Sequence, residues 1–409
     1  MDLRNRLGLY GCYFLGVAGI GFTLPFLPLY LSEKGMSNWE IGLVSTLAAL
    51  AGLAQFPLGL WSDRLGRRKP FLVVLLAVLA VATFLLPSAA GPVGLTVLVL
   101  LFAENGLCRA SVESLAGAEA MHLARPEEVG KALGALRFWK PVSIILVALG
   151  GGWLAGRYGV AAVLPPLAAV QALAVAAALL IHGDRAAEPG AAETPEAPPA
   201  RGGGLRDGVL WTFAAAMILF HTCNAPGGVY LGLFLKRDLD AGNQVLSSAF
   251  VVSMAAWMLA VRPAGRLVDR VGRKPVLVAG WGLVAVRFGL TAVAGSAWQV
   301  LAIEVIDGLP QALFVVAAPA WVTDRLGDPR KAGEAQVIVG SCLVFGSAVG
   351  PLLSGFIVGP LGYRGLFGVL AAVAAAATLL VLAAVPETLA RPKGESLPLA
   401  GAGNVGEVR

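Results

Sequence analysis

The sequence predicts an all-α membrane protein of twelve transmembrane helices arranged as two pseudo-symmetric six-helix bundles. Three observations predict it: a composition too apolar for water, a ladder of apolar runs long enough to cross a bilayer, and one polar interruption with six runs on each side. Of 409 residues, 57% are apolar and 14% charged, and the mean hydropathy is +0.77. A soluble domain carries about 25% charged residues.

The apolar runs fall at 7–31, 39–61, 70–90, 93–121, 132–155 and 160–181, then at 209–235, 246–268, 275–295, 298–323, 332–358 and 363–385. Most have about 20 residues or more, enough for a hydrocarbon core of about 30 Å. The first run, opened by Arg4 and Arg6, exceeds the usual apolar region of a signal peptide, about 7–15 residues, and is expected to stay as helix 1. Residues 182–208 are rich in Ala, Pro, Glu and Gly, the composition of a flexible linker. The expected organisation is therefore a six-helix bundle over 1–181, a cytoplasmic linker over 182–208, a second bundle over 209–388 and a cytoplasmic tail over 389–409.

The net charge of +6 does not indicate nucleic acid, because the basic residues sit in short loops between apolar runs. With the N-terminus inside, 20 Lys and Arg fall in cytoplasmic segments and five (Lys34, Arg157, Lys236, Arg237, Arg364) in the opposite loops. That asymmetry places both termini and the linker in the cytoplasm. Short loops suggest a bacterial inner membrane. Cys12, Cys108, Cys223 and Cys342 all lie in apolar runs and are expected to be small buried hydrophobes.

The halves repeat one another. Gly59-Leu-Trp61-Ser-Asp63-Arg64-Leu-Gly66-Arg67-Arg68-Lys69-Pro70 follows the second run, and Gly265-Arg-Leu-Val-Asp269-Arg270-Val-Gly272-Arg273-Lys274-Pro275 follows the eighth. Glu128-Val-Gly130-Lys131 and Lys331-Ala-Gly333-Glu334 correspond before the fifth run of each half. Those fifth runs carry Gly152/Gly156 and Gly355/Gly359, a spacing that permits close helix approach. Repeated halves suggest substrate binding at their interface and rocking about it.

The duplicated Gly-x-x-x-Asp-Arg-x-Gly-Arg motif resembles the loop motif of the major facilitator superfamily, with Trp61 where Leu is usual. The resemblance extends over the whole chain through helix number, linker and duplication. Its glycines are expected to let the loop turn tightly, and Asp63 and Asp269 to lie against a helix N-terminus, where a negative charge is worth about 0.3–1 kcal/mol. The resemblance implies that Gly59, Asp63, Arg64, Gly66, Arg67, Arg68, Gly265, Asp269, Arg270, Gly272, Arg273 and Lys274 form a latch. It would stabilise the outward-open state and break when the cytoplasmic side opens. It further implies that the first and fourth helices of each half line the cavity.

Ionisable residues inside a membrane cost about 2.5–3.5 kcal/mol each at a helix centre and mark pathways. The fourth run contains Glu104, Asn105, Arg109 and Glu113. Arg109 and Glu113, four apart, share a face, as a structural pair or as part of the pathway. The fifth run has Arg137 and Lys140, which either snorkel to the nearby end or, as Arg109 also could, hold an anion. The seventh has His221 and Asn224 just before Pro226-Gly227-Gly228, expected to break or bend it. The tenth has Glu304, Asp307 and Gln311 in one stripe. Two carboxylates on one face do not both stay charged cheaply, so one is expected to exchange protons near neutral pH. Arg287, on a helix that the family places outside the cavity, is expected to neutralise one of them. Glu304, Asp307, Glu104 and Glu113 are thus the proton-coupling candidates, and Asn105, Arg109, His221, Asn224, Gln311, Arg137 and Lys140 the cavity candidates.

Three histidines lack metal-binding spacing, and the chain has no Walker loop, nucleophile elbow or HExxH. The expectation is a transporter and no enzyme, without metal or other cofactor, whose partners are a small solute, the bilayer and a proton or sodium ion. No oligomer is required. Pro25-Phe-Leu-Pro28 resembles an element of the drug:proton antiporters. Those carry Gly-Pro in the fifth helix, whereas here that helix reads Arg137-Phe-Trp139-Lys140-Pro141 and Gly350-Pro351 lies in the eleventh. Export of amphipathic compounds and import of a sugar or small organic acid both remain open.

Overall fold

The computed structural model describes residues 3–124, 129–182, 207–327 and 332–389. Most of the linker, the tail after 389, and Glu128 and Lys331 lie outside the described residues, as do the side chains of Gly130, Lys131, Gly333 and Glu334. The described chain is helical, as a bilayer demands: without water in the hydrocarbon, each backbone N–H and C=O must be satisfied within its own segment.

The spans are α1 (Leu3–Thr23 and Leu27–Glu33, bent by 52°), α2 (Asn38–Arg64), α3 (Lys69–Ser88), α4 (Gly91–Leu123), α5 (Val129–Tyr158) and α6 (Val160–Leu179). The second set is α7 (Gly208–Arg237), α8 (Asn243–Val271), α9 (Arg273–Val293) and α10 (Ala297–Leu326), followed by the helical stretch Ala332–Ala384. That stretch of 53 residues would measure about 80 Å at about 1.5 Å per residue, more than twice a hydrocarbon core. Gly362, at φ 66° and ψ 179°, separates it into α11 (332–361) and α12 (363–384). Tyr363 sits beside Arg237, at one end of the bundle, and Glu387 beside Arg273, at the other. The chain therefore crosses twice here, which completes twelve spans.

Two expectations need correction. Pro226 does not break α7, which stays helical from Gly208 to Arg237. The repeated motif is mostly not a loop either. Gly59–Arg64 and Gly265–Arg270 belong to the last turns of α2 and α8, and Gly59 and Gly265 have open space beside them. The chain turns at the second glycine of each copy, Gly66 (φ 63°) and Gly272 (φ 120°), a backbone that residues with a Cβ rarely adopt.

The halves meet chiefly along α2–α11 and α5–α8, pairs that the internal repeat interchanges. The seam gathers at the end opposite the termini. Tyr230 donates to the carbonyls of Asn38 (3.0 Å) and Pro351 (2.9 Å), Asn243 to that of Ala155 (3.0 Å), and Thr46 to that of Ala348. Arg237 donates to Tyr363 (3.1 Å), Asn38 Oδ1 (3.5 Å) and Ser32. The first glycine of each GxxxG pair lies in this seam: Gly152 against Ser247, and Gly355 against the backbone of Asn38 and Trp39. The second glycines, Gly156 and Gly359, meet nothing within 4 Å.

That difference generates a test. A side chain at Gly355 would bring its Cβ to 2.7 Å from the Asn38 carbonyl, and overpacking of this kind costs about 1–3 kcal/mol. Gly355→Leu is expected to open the seam, raising maleimide labelling of a cysteine introduced at Thr46 by about tenfold, since about 1.4 kcal/mol is a factor of ten. Gly359→Leu should leave the labelling rate unchanged.

Candidate functional site

The second bundle encloses a three-residue clamp. Arg287 of α9 donates to Glu304 of α10 through Nε (3.2 Å) and Nη2 (3.0 and 3.1 Å), and its Nη1 lies 2.5 Å from Asp307 Oδ1. The other oxygen of Asp307 accepts from Ser253 of α8. Spacing explains the arrangement: 304 and 307 stand one turn apart on α10, so one planar guanidinium on the neighbouring helix spans both. Glu304 is 1% exposed and Asp307 25%. Gln311 continues the stripe, half-buried, with Oε1 lacking a partner. The single cation between two carboxylates offsets the like-charge repulsion that the sequence alone suggested.

His221 is buried in an aromatic cluster, edge-on to Phe314 (centroids 4.7 Å) and Phe220 (5.1 Å), with Nε2 lacking a partner. Asn224 is half-buried one turn away.

In the first bundle the structure divides what the sequence grouped. α4 is interrupted between Phe102 and Leu107, so half-buried Glu104 and exposed Asn105 lie in the break. The carbonyl of Asn105 abuts Gly52 in the 3₁₀ turn of α2. Arg109 does not pair with Glu113. Glu113 instead accepts from Lys140 Nζ at 2.8 and 2.9 Å, so Lys140 is an interhelical partner and does not snorkel. Arg109 points away from that pair, over the Phe102 ring (5.1 Å). Arg137 is exposed.

The repeated motif builds the same network twice. Arg68 binds Asp63 (2.7 Å) and lies 3.7 Å from Glu119 on α4; Arg273 lies 3.6 Å from Asp269 and binds Asp324 on α10 (3.0 Å). Lys69 Nζ donates to the Ile181 carbonyl and Lys274 Nζ to that of Leu382, each at 2.7 Å. These contacts join helices of one half. Neither aspartate takes the expected place at a helix N-terminus. Glu387 takes it for α9, accepting the backbone N–H of Arg273 and Lys274 at 3.0 Å each, where a negative charge suits the helix dipole. Glu119, Asp324, Glu387 and Ser253 were missed by sequence reasoning. The offset that relates Arg68 to Arg273 would have linked Glu119 with Asp324.

Comparison with known proteins decides the family. The MFS_1 like family profile matches residues 7–369. The chain belongs to this family. An uncharacterized MFS-type transporter of Mycobacterium tuberculosis (strain ATCC 25618 / H37Rv) is 26% identical over 377 residues, 89% of each chain. Multidrug resistance protein MdtL of Escherichia coli (strain SMS-3-5 / SECEC) is 30% identical over 178 residues, 42% of this chain and 44% of that one. Among solved structures, nucleoside transporter NupG superposes with a TM-score of 0.77 at 17% identity, covering 94% of this chain and 99% of that chain. A bacterial homolog of the human lysosomal transporter Spinster, inward-facing and unoccupied, gives 0.74 at 14%, covering 94% and 96%. At these identities the structures establish the major facilitator fold alone. The protein is a multi-pass membrane transporter of the MFS type, not an enzyme.

Asp63 is 57% exposed and is bound by Arg68 of its own half, so its removal should disturb the conformational cycle more than the solute site. Asp63→Asn is expected to slow transport severely while leaving substrate affinity within a few-fold. Lost affinity with normal turnover, measured by equilibrium binding beside transport rate, would contradict a latch.

Proposed function

We propose that this MFS transporter exports amphipathic compounds in exchange for protons, and that Asp307 is the carboxylate that exchanges the proton. The observation that carries the reading is the unequal sharing of Arg287. Glu304 holds two of its nitrogens in a fully buried contact, whereas Asp307 meets the third and keeps a quarter of its side-chain surface exposed. Glu304 then serves as the permanent counter-charge of Arg287. Asp307 takes up a proton from one side, loosens its hold on Arg287 and Ser253, and releases the proton to the other side after the halves rock. Its position ten residues into α10, about 15 Å from the helix start, is near mid-membrane and reachable from either side in turn.

The amphipathic class rests on the MdtL likeness and on the aromatic surroundings of His221. In this reading the termini and the linker face the cytoplasm of a bacterial cell, 1–181 and 209–388 are the rocking bodies, and the protein works as a monomer. The seam opposite the termini then closes the outer side, and the motif contacts confined to each half are a latch already released.

The test is pH-jump transport in proteoliposomes. Asp307→Asn is expected to abolish gradient-driven accumulation of a cationic dye while leaving exchange between two pools within a few-fold. Glu304→Gln should retain coupling and shift the pH optimum. If the Glu304→Gln/Asp307→Asn double variant still concentrates the dye against its gradient, the assignment is wrong. Labelled sugar or organic acid moving with the protons, and no dye moving against them, would favour import instead.

A further inference from the structure

Arg109 is wholly buried, at 0% exposure, and its Nε, Nη1 and Nη2 all lack a hydrogen-bond partner. Arginine does not deprotonate in proteins, and a buried charge without a counter-charge is strongly unfavourable. The contrast with the second bundle is direct: Arg287 has two carboxylates, and Arg109 has none within ion-pair distance among the described residues. The acids of its own helix are otherwise placed. Glu113 is bound by Lys140, Glu119 lies beside Arg68, and Glu104, half-buried in the break, acts on Arg109 only from beyond ion-pair distance.

The guanidinium reaches back across the break in α4. It lies over the Phe102 ring at 5.1 Å and against the bare Cα of Gly19, where the first part of α1 is interrupted. A Cβ on Gly19 would collide with Nη2 and come within 2.8 Å of Gln171 Nε2. Gln171 is fully buried, its Oε1 engaged by Thr83 Oγ1 at 2.5 Å and its Nε2 without a partner. Rotating that amide would give Arg109 one neutral acceptor and still no counter-charge. On the far side of the break begins the 17-residue helix Leu107–Leu123, capped by no side chain at Gly106. Its first-turn N–H groups have no partner within the helix, and that end of the dipole favours an anion.

We infer that the break in α4 holds a small monovalent anion on Arg109, beside Gly19 and Gln171, with the first turn of 107–123 facing it. The anion is either an inorganic ion such as chloride or the carboxylate of a transported compound. Both bring the direct partner that the guanidinium nitrogens lack, in the charge-assisted geometry that arginine favours. The site lies in the other bundle from Arg287 and does not depend on the proton-coupled reading.

The experiment follows the unfolding midpoint of the purified full-length protein in sulfate buffer at constant ionic strength, titrated with chloride or with acetate. The wild type is expected to gain several degrees along a saturable curve. Arg262→Gln, which removes an exposed arginine elsewhere, should behave likewise. Arg109→Gln should abolish the response, and Arg109→Lys should shift it to several-fold higher anion concentration. A response to chloride identifies an inorganic ion, and a response to acetate alone identifies a carboxylate subsite. The inference is overturned if neither anion stabilises the wild type saturably, or if Arg109→Gln keeps the full response. Should Arg109→Gln not fold, an unchanged titration curve for Arg109→Lys overturns it equally.

Discussion

A cation enclosed among apolar helices must find its counter-charge inside the bundle, and Arg287 finds two. The contact governs more than its three residues. The rotation of α9 against α10 rests on apolar packing, with Gly280 against Leu313 and Trp281 near Phe314, and on this polar contact. Through Glu304 and Asp307 the guanidinium helps to set that rotation, and through Ser253 the same network reaches α8. Removing one member of such a buried group typically costs about 3–5 kcal/mol, because the partner is left uncompensated. Prolines at 310 and 319 each remove a backbone donor from α10, yet the helix runs unbroken from Ala297 to Leu326.

The two halves share their ends more faithfully than their centres. Near the termini, the arginine before each Lys-Pro step bridges an aspartate on one helix and an acid two helices further on, and the lysine holds the carbonyl of the last helix of its own half. At the opposite end, Gly152 and Gly355 bring α5 to α8 and α11 to α2. Midway, the likeness ends. α7 and α10 are continuous, whereas α1 and α4 are both interrupted. The repeated parts are those that hold a bundle together and join it to its twin; the unrepeated middle is where the two halves differ in chemistry, with a compensated arginine in one and a bare one in the other.

Much of the architecture was legible because it rests on one-dimensional signals. Run length, the polar interruption and the duplicated motif each leave a trace that needs no partner to interpret, and together they led to the right fold. The break in α4 left a weaker trace: Glu104-Asn105-Gly106 reads as three polar or small residues within an apolar run. Asn-Gly favours a turn, and the Asn105 carbonyl abuts Gly52 where the helix yields. Pairing was legible where one turn of helix sets it, as for 304 and 307. Across helices it was legible for Arg287 and the acids of α10 but not for Lys140 and Glu113, and so Arg109 with Glu113 looked plausible at i, i+4. The direction in which each side chain leaves the helix sends the first toward Gly19 and the second toward Lys140. Glu387 was unreadable for a different reason, since its role as an anion at the start of α9 depends on α12 returning beside it.

The seam between the halves is built to be exchanged. Its cation, Arg237, donates to a tyrosine hydroxyl, an asparagine carbonyl oxygen and a serine hydroxyl, all neutral, and the hydrogen bonds of Tyr230, Asn243 and Thr46 end on backbone carbonyls. Neutral hydrogen bonds contribute only about 0.5–1.5 kcal/mol each because water replaces them when they part. An ion pair buried at the same place would be far harder to open. A seam of neutral donors and close glycine contacts therefore costs less to part than one closed by buried ion pairs. The strong electrostatic contact of the second bundle lies elsewhere, inside the half at Arg287, where it does not tie the two halves together.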